Sequence, residues 1–213
     1  MKNEDQEKSC VLIGKAMDLF LRFGVKSLTM DDISRKLGIS KKTLYQVVSD
    51  KKELVKRGMS QCLEEDQNMI TEITTTSDNA IEELIGFTKK ANEWLSEVHE
   101  SVVFDIQKYH PECWGLIEAH KKDVKKAILK NTERGITEGI YRENLNPEII
   151  ASLYIVMKDA LFNSIEIFGK DVRKQDIHLE MIRYHVRGIA NEKGMALLKE
   201  SLNKEENNHL NLD

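Results

Sequence analysis

Residues 28–54 decide the fold of this chain and read LTMDDISRKLGISKKTLYQVVSDKKEL. Thr29, followed three residues later by Asp32, forms an N-cap pattern in which a hydroxyl and a carboxylate cover free backbone N–H groups. Gly38 tolerates the left-handed conformation that ends a helix. Ser40 is typical of the residue that begins the next helix. The stretch therefore predicts a helix, a tight turn and a second short helix.

Two short helices joined by a glycine-containing turn form the helix-turn-helix motif, whose second helix enters the major groove of DNA. The first residues of that helix meet the base edges. In this chain they combine cations and hydroxyls, which suit phosphates, with an amide, which can pair with the edge of adenine. The predicted set for bases or phosphates is Lys41, Lys42, Thr43, Tyr45 and Gln46.

Three more residues are predicted phosphate contacts because helix N-termini present backbone N–H groups to anions: Thr29, Ser40 and Lys51. Other roles stay open for some of these positions. Thr29 and Ser40 can act as helix caps alone. Tyr45 can pack within the small domain, and Lys42 can be a surface lysine with no partner.

The stretch resembles the DNA-binding domain of the TetR-type (TetR/AcrR) bacterial transcriptional repressors. The match covers roughly the first quarter of the chain, and its residues in register are Ala16, Leu19, Phe20, Gly24, Thr29, Met30, Asp32, Ile33, Gly38, Ser40, Lys41, Thr43, Leu44, Tyr45, Lys51, Glu53 and Leu54. Two positions depart from the family pattern. Val47-Val48 replaces a His-Phe pair, so the histidine's role is not assigned to Val47, and Asp50 replaces a serine.

The resemblance implies an all-α fold of about nine helices. A three-helix DNA-binding domain, assigned to residues 1–54, precedes a larger C-terminal helical domain for effector binding and dimerisation, assigned to residues 55–213. In the family the last two long helices pair with their copies as a four-helix bundle. Here they correspond roughly to Glu148–Phe168 and Lys174–Leu202.

Composition independently favours helix. The 213 residues are 40% hydrophobic and include only two prolines, and no window shows the alternation of a sheet protein. No apolar run reaches the roughly 18 residues of a membrane span. The charged start has no apolar signal region, and three widely spread cysteines suggest free thiols in a reducing compartment. These features predict a cytoplasmic protein.

Charge is distributed unevenly along the chain. Between Val25 and Arg57, nine lysines and arginines face four acidic residues, a net charge of +5. Since the whole chain carries −4, the remainder carries −9. A basic module on an acidic body suits a DNA-binding protein, because one face attracts phosphate and the rest repels it.

A homodimer also follows from the size of the reading helix. One short helix contacts only a few bases, whereas two copies can read two half-sites about 34–36 Å apart or a multiple of that distance. The segment Glu148–Phe168 is apolar on more than one face, so one stripe can fill the core and another can meet a partner chain. The polar tail, residues 203–213, is expected to be disordered.

The resemblance implies a small-molecule effector bound in the C-terminal domain. Candidate pocket residues are aromatic, soft or polar-tipped side chains, with ordinary core packing as the alternative for each: Trp94, His99, Phe104, Tyr109, Trp114, Met157 and Phe162. No cofactor or metal is predicted. His110 with Cys113, and His178 with His185, lack further ligands nearby in sequence.

Three functions remain to be separated. The first, which we expect, is a dimeric, ligand-responsive DNA-binding regulator that acts as a repressor. The second is an all-helical small-molecule carrier or enzyme with a vestigial DNA-binding module. The absence of a Gly-rich phosphate loop, a nucleophile elbow or a His-Glu-x-x-His run counts against the enzyme. The third is a constitutive scaffold whose DNA binding no ligand alters.

Overall fold

The computed structural model of the protein describes residues 2–162, 167–169, 171–204, 210 and 212, with the side chains of residues 2–5 and 162 excepted. Within this part of the chain the structure is helical, and its helices are α1 (Lys2–Phe23), α2 (Met30–Leu37), α3 (Lys41–Val47), α4 (Lys51–Thr76), α5 (Ala80–Glu97), α6 (Val102–Tyr109), α7 (Pro111–Thr137), α8 (Pro147–Phe162), α9 (Lys174–Ile189) and α10 (Glu192–Leu202). None of these helices is both long and apolar enough to cross a membrane. The all-α fold class is confirmed.

The predicted helix ends in the helix-turn-helix are confirmed in atomic detail. The Thr29 hydroxyl accepts a hydrogen bond from the Asp32 amide at 3.2 Å, and Asp32 Oδ2 accepts one from the Thr29 amide at 3.0 Å. This is a complete capping box. Gly38 ends α2 with φ at +66°, the left-handed conformation that its missing side chain permits. Ser40 Oγ then accepts from the Thr43 amide and begins α3.

Two compact units make up the chain. The first comprises Met1–Asn68 and Glu97–His120, and the second comprises Met69–Ser96 and Lys121–Asp213. The first unit therefore extends beyond the helix-turn-helix domain assigned to residues 1–54, because the chain between Glu97 and His120 returns to it. Its core is one cluster of buried side chains from α1 to α4, α6 and the start of α7, including Phe20, Ile33, Leu44, Ile106 and Cys113.

The second unit has a separate core. It joins apolar residues of α5, α7, α8, α9 and α10. Arg134 of α7 binds the buried Glu83 carboxylate of α5 at 2.9 Å and also donates to the Ser77 carbonyl. The ring of Tyr141 packs against Gly135, where a Cβ atom would lie only 2.1 Å from it. The glycine therefore allows a buried tyrosine to sit against the helix backbone.

The prediction of a single last helix over Lys174–Leu202 is wrong. The structure breaks it into α9 and α10 at Ala190 and Asn191. Asn191 caps α10 by accepting from the Gly194 amide, while its Nδ2 donates to the Gly139 and Tyr141 carbonyls. The backbone of the loop after α7 thus occupies the break, and the count rises from about nine helices to ten among the described residues.

The structure also corrects the prediction of a disordered tail at the residues that it describes. At the other end of the chain, helix α1 begins at Lys2. In the tail, Leu210 and Leu212 are buried in the core of the second unit, because two leucines in a polar segment find apolar surface there. The part of the predicted helix Glu148–Phe168 at 163–166 lies outside the described residues.

Candidate nucleic-acid interface

Helix α3 presents a polar outer face and an apolar inner face. Leu44 points into the core of the first unit and is fully buried. Lys42, Tyr45 and Gln46 are exposed on the opposite side. Residues three or four positions apart lie on the same side of a helix, so the sequence positions alone explain why Leu44 faces inward and the polar residues face outward. The face that would enter a DNA groove is therefore open within this chain.

Lys41 is exposed but engaged. Its Nζ lies 2.6 Å from Asp31 Oδ1 on α2, and hydrogen bonding to this carboxylate raises the pKa of the lysine. The pair joins the two helices of the motif at their solvent side. Because an exposed ion pair contributes little free energy, a phosphate oxygen can replace Asp31 as the partner of Lys41 at small cost.

The hydroxyls of Ser40 and Thr43 bind each other. Their oxygens lie 2.7 Å apart, and Ser40 Oγ also accepts from the Thr43 amide at 3.0 Å. Thr29 uses its hydroxyl in the same way, with Asp32 Oδ2 as the acceptor at 2.6 Å. This hydrogen bond from the Thr29 hydroxyl holds the pKa of Asp32 below its usual value. All three hydroxyls thus take part in local bonds at helix starts.

Lys51 is the least open of the predicted contacts. Its side chain is half-buried, and its Nζ lies 5.8 Å from the centre of the Phe20 ring. Burial lowers the pKa of this lysine, against the opposing effect of Asp105. Packing of the lysine stem against an aromatic ring gives Lys51 a role in the fold beside any contact with phosphate.

Arg57 is a site residue that sequence reasoning missed. Its Nη1 donates to the carbonyl oxygen of Val47 at 2.7 Å, which is one of the carbonyls left without a helical partner at the end of α3. Glu53 Oε1 lies 3.7 Å from the same Nη1, while Glu53 Oε2 accepts from the Ser49 amide. The four-residue spacing of Glu53 and Arg57 was the available signal.

The position of helix α6 in the first unit is a second feature that sequence reasoning missed. Asp105 is buried in the first unit, and its Oδ2 accepts a hydrogen bond from the Lys26 amide at 2.8 Å. Lys26 Nζ lies 3.3 Å from the Tyr109 hydroxyl, and the His99 amide donates to the Leu21 carbonyl at 2.7 Å. These contacts join α6 to the segment before α2. No local pattern predicts them, because the partners lie about eighty residues apart.

The predicted effector residues are divided between the units. His99, Phe104, Tyr109 and Trp114 belong to the first unit, whereas Trp94 and Met157 belong to the second. Phe104 is exposed beside Lys108, and Met157 packs against the core of the second unit. The side chain of Phe162 lies outside the described residues. Their assignment to one pocket stays a prediction.

No group of three or more histidine, cysteine or acidic side chains in the described part of the chain has the arrangement of a metal site. Burial raises the pKa of the Cys113 thiol to about 11 and lowers the pKa of His110. These shifts leave the thiol protonated and the imidazole neutral at neutral pH. The pair therefore behaves as core packing.

Comparison with known proteins identifies relatives of the helix-turn-helix region and of longer parts of the chain. Residues 12–57 match the family described as bacterial regulatory proteins, tetR family. The HTH-type transcriptional regulator YvaF of Bacillus subtilis is 26% identical over 61% of this chain and 68% of its own length. The repressor KstR2 of Mycolicibacterium smegmatis is 21% identical over 86% of this chain and 91% of its own length.

The fold is likewise shared with solved structures. A TetR-family regulator from Agrobacterium tumefaciens superposes with a TM-score of 0.70 at 19% identity, covering 87% of this chain and 99% of its own. The ketosteroid transcriptional regulator KstR2 of Mycobacterium tuberculosis superposes with a TM-score of 0.59 at 22% identity, covering 87% and 96%. At sequence identities this low, the structural similarity shows that the fold is the same and nothing more.

Proposed function

We propose that this chain, whose residues 12–57 match the tetR family of bacterial regulatory proteins, is a ligand-responsive transcriptional repressor of that family that binds a palindromic operator as a homodimer. The protein is a DNA-binding regulator. The mode of regulation, the dimer and the residues responsible for them are parts of the same proposal. The supporting observation is the open polar face of α3 above a fully buried Leu44.

In this proposal α3 lies in the major groove. Lys42 and Gln46 contact base edges or phosphates, and Tyr45 contacts the backbone or a base. Lys41 exchanges Asp31 for a phosphate oxygen. The amide groups at the start of α2, next to Thr29, face a further phosphate. Ser40, Thr43 and Lys51 complete the predicted contact set, and Arg57 and Asp105 hold the reading helix and its unit in shape.

The dimer is proposed to form through α8 and α9. Ile149, Leu153 and Val156 lie on one face of α8 and are 56%, 52% and 67% exposed, and Tyr184 of α9 is 73% exposed. Their spacing makes a continuous apolar stripe along α8. Such a stripe on the surface of one chain is typical of an interface between copies. The proposed interface uses the two segments predicted from the sequence, Glu148–Phe168 and Lys174–Leu202, except that α10 is left out of the second.

Effector binding is proposed to release the DNA. A small molecule that binds the second unit changes DNA affinity only if it binds the DNA-competent and DNA-incompetent conformations unequally. We propose that the protein acts in the cytoplasm, where its operator is. We propose no enzymatic activity for it. The carrier alternative predicts small-molecule binding without sequence-specific DNA binding.

Selection of bound sequences from random double-stranded DNA tests the proposal. We expect an enriched palindrome whose half-sites are separated by one helical turn or a multiple. Gel-shift titration of that site with Lys42→Ala and Tyr45→Ala should show affinities lower by about fivefold to a hundredfold, from roughly 1–3 kcal/mol for each lost contact. Lys130→Ala, an exposed lysine of α7 in the second unit, is the matched control. Failure to enrich any sequence, or wild-type affinity in both variants, would contradict the proposal.

A further inference from the structure

Two histidines lie on the buried face of α9. His178 and His185 are 2% and 6% exposed, and both are far from the DNA-reading helix in sequence. Seven residues make two helical turns, so the two rings share one face and are separated by about 10 Å along the helix. Met181, Ile182 and Val186 on the same helix are also buried. The two imidazoles are thus the polar groups of an otherwise apolar surface.

Each ring has one nitrogen without a hydrogen-bond partner among the described residues. These atoms are Nδ1 of His178 and Nε2 of His185, and both are inaccessible to solvent. A buried polar atom left without a partner destabilises the fold by roughly 1–3 kcal/mol, and native structures satisfy the large majority of such atoms. Two exceptions on one helix face therefore require an explanation.

Several other buried polar groups of the same unit have hydrogen-bond partners, whereas Asn92 Oδ1 on α5 has none among the described residues. The Thr88 and Thr132 hydroxyls donate to carbonyls of the preceding turn. Asn131 donates to the Ala80 carbonyl, and its Oδ1 lies 3.0 Å from the Tyr141 hydroxyl. The free nitrogens of His178 and His185 differ from these hydroxyl and amide groups in having no hydrogen-bond partner among the described residues.

The surroundings define what can bind there. The ring of Tyr154 on α8 meets His185 edge to face, with centroids 5.1 Å apart. Burial lowers the pKa of both histidines to about 4, and the Lys158 ammonium contributes at His178. Each imidazole is therefore neutral at neutral pH and offers one N–H donor and one acceptor nitrogen. A neutral ring in an apolar wall suits an uncharged oxygen better than an ionised group, which burial would penalise.

We propose that the face of α9 between His178 and His185 is an effector-binding surface, where the free ring nitrogens hydrogen-bond to carbonyl or hydroxyl oxygens of an uncharged, largely apolar small molecule. The inference rests on the proposed function, since it specifies the chemistry of the effector. Because the two rings stand about 10 Å apart, an elongated ligand with an oxygen at each end uses both. A ligand with one oxygen uses one.

Paired substitutions separate hydrogen bonding from packing. Asparagine places a polar atom near the position of Nδ1, and glutamine places one near that of Nε2. His178→Asn and His185→Gln therefore keep a hydrogen-bonding atom, whereas His178→Leu and His185→Met remove it. The apolar variants should remain folded, because they eliminate a buried atom that has no partner. Their melting temperatures verify this.

The probes are a panel of alicyclic ketones and alcohols, each paired with the carboxylate and the ammonium compound of the same carbon skeleton. Calorimetric titration of the full-length protein should show that ketones or alcohols bind wild type. They should bind His178→Leu or His185→Met about tenfold more weakly, the loss expected for one hydrogen bond. The Asn and Gln variants should bind within about threefold of wild type.

Three results would overturn the inference: tighter binding of the carboxylates or ammonium compounds, undiminished binding to both apolar variants, or no binding by any member of the panel. Gel shifts with the selected operator, run in parallel, keep this separate from the proposed function. Operator binding without probe binding would contradict this inference and leave the proposed DNA-binding function standing. Histidine-dependent probe binding that leaves operator affinity unchanged supports the surface and contradicts ligand-responsive repression.

Discussion

At the scale of single residues, the reading helix depends on side chains that do not face DNA. Lys42, Tyr45 and Gln46 project outward, but the position of the helix that carries them is set by its buried Leu44 and by its two ends. Ser40 caps the first end and Arg57 the last. The contact residues therefore require partners whose own role is purely structural.

Arg57 gives the first prediction at this scale. Replacing it with alanine removes the donor 2.7 Å from the Val47 carbonyl. We expect operator affinity to fall by about fivefold, because a partly exposed charged hydrogen bond contributes roughly 1 kcal/mol. Gel-shift titration measures the loss. Arg142→Ala, an exposed arginine of the second unit, is the control, and equal affinities for the two variants would show that the end of α3 needs no such donor.

The buried histidines give a prediction about acid stability. Burial lowers the pKa of His178 and His185 from the ordinary 6.5 to about 4 in the folded protein, and the nearby Lys158 ammonium contributes to the shift at His178. Between those values the unfolded chain binds protons that the folded chain does not. The free energy of unfolding therefore falls as the pH drops from about 6.5 to 4, by up to roughly 3 kcal/mol for each histidine, and is unaffected above that range.

Urea denaturation at a series of pH values measures this loss of stability. The double variant His178→Leu/His185→Met should have a flatter dependence on pH than wild type between 6.5 and 4. His110, whose pKa is also lowered by burial, is retained in the variant and accounts for part of the slope that remains. Identical slopes in the two proteins would mean that both imidazoles are protonated without penalty in the folded state.

At the scale of elements, α6 shows how distant sequence completes a domain. The stretch from Thr29 to Val47 signals its helices through caps and a glycine, and these predictions are confirmed. The placement of α6 beside that stretch has no such signal. One of the contacts that fix it is a hydrogen bond from the backbone amide of Lys26 to the buried carboxylate of Asp105. A pairing of this kind is decided by tertiary packing.

Asp105→Ala tests that pairing. The substitution leaves the Lys26 amide without its carboxylate acceptor at a part-buried position, so we expect a loss of about 1–2 kcal/mol in the free energy of unfolding. Urea denaturation measures it, and hydrogen exchange at the Lys26 amide should become faster. Asp176→Ala removes an exposed ion pair with Arg173 at the start of α9 and should change the free energy of unfolding much less. Equal effects would show that the Asp105 bond adds nothing to the unit.

At the scale of the whole molecule, the apolar stripe of α8 is a surface that the described part of one chain leaves exposed. Ile149, Leu153 and Val156 repeat at four and three residues, so they lie along one side of the helix. The sequence predicted both the apolar excess and a partner chain. The break at Asn191 was not predicted, and it removes α10 from the helix proposed to pair.

The double substitution Leu153→Lys/Val156→Lys tests the dimer. Two lysines in an apolar interface would be buried without partners in both copies, so we expect a monomer in analytical ultracentrifugation and at least a tenfold loss of affinity for the palindromic site. Val11→Lys replaces an apolar residue of α1 that is equally exposed and should change neither. A variant that remains a dimer would place the interface elsewhere.

The sequence alone determined the helical class, the helix-turn-helix boundaries and the outward residues of α3, because caps, glycine conformation and helical periodicity act between residues a few positions apart. Only the tertiary structure decided that α6 belongs with the DNA-binding unit, that the last predicted helix divides at Asn191, and that His178 and His185 are buried with free nitrogens. Each of these depends on which distant atoms meet in a packed core. A local pattern does not carry that information, since the same spacing of histidines or the same aspartate can lie in solvent or against any of several helices.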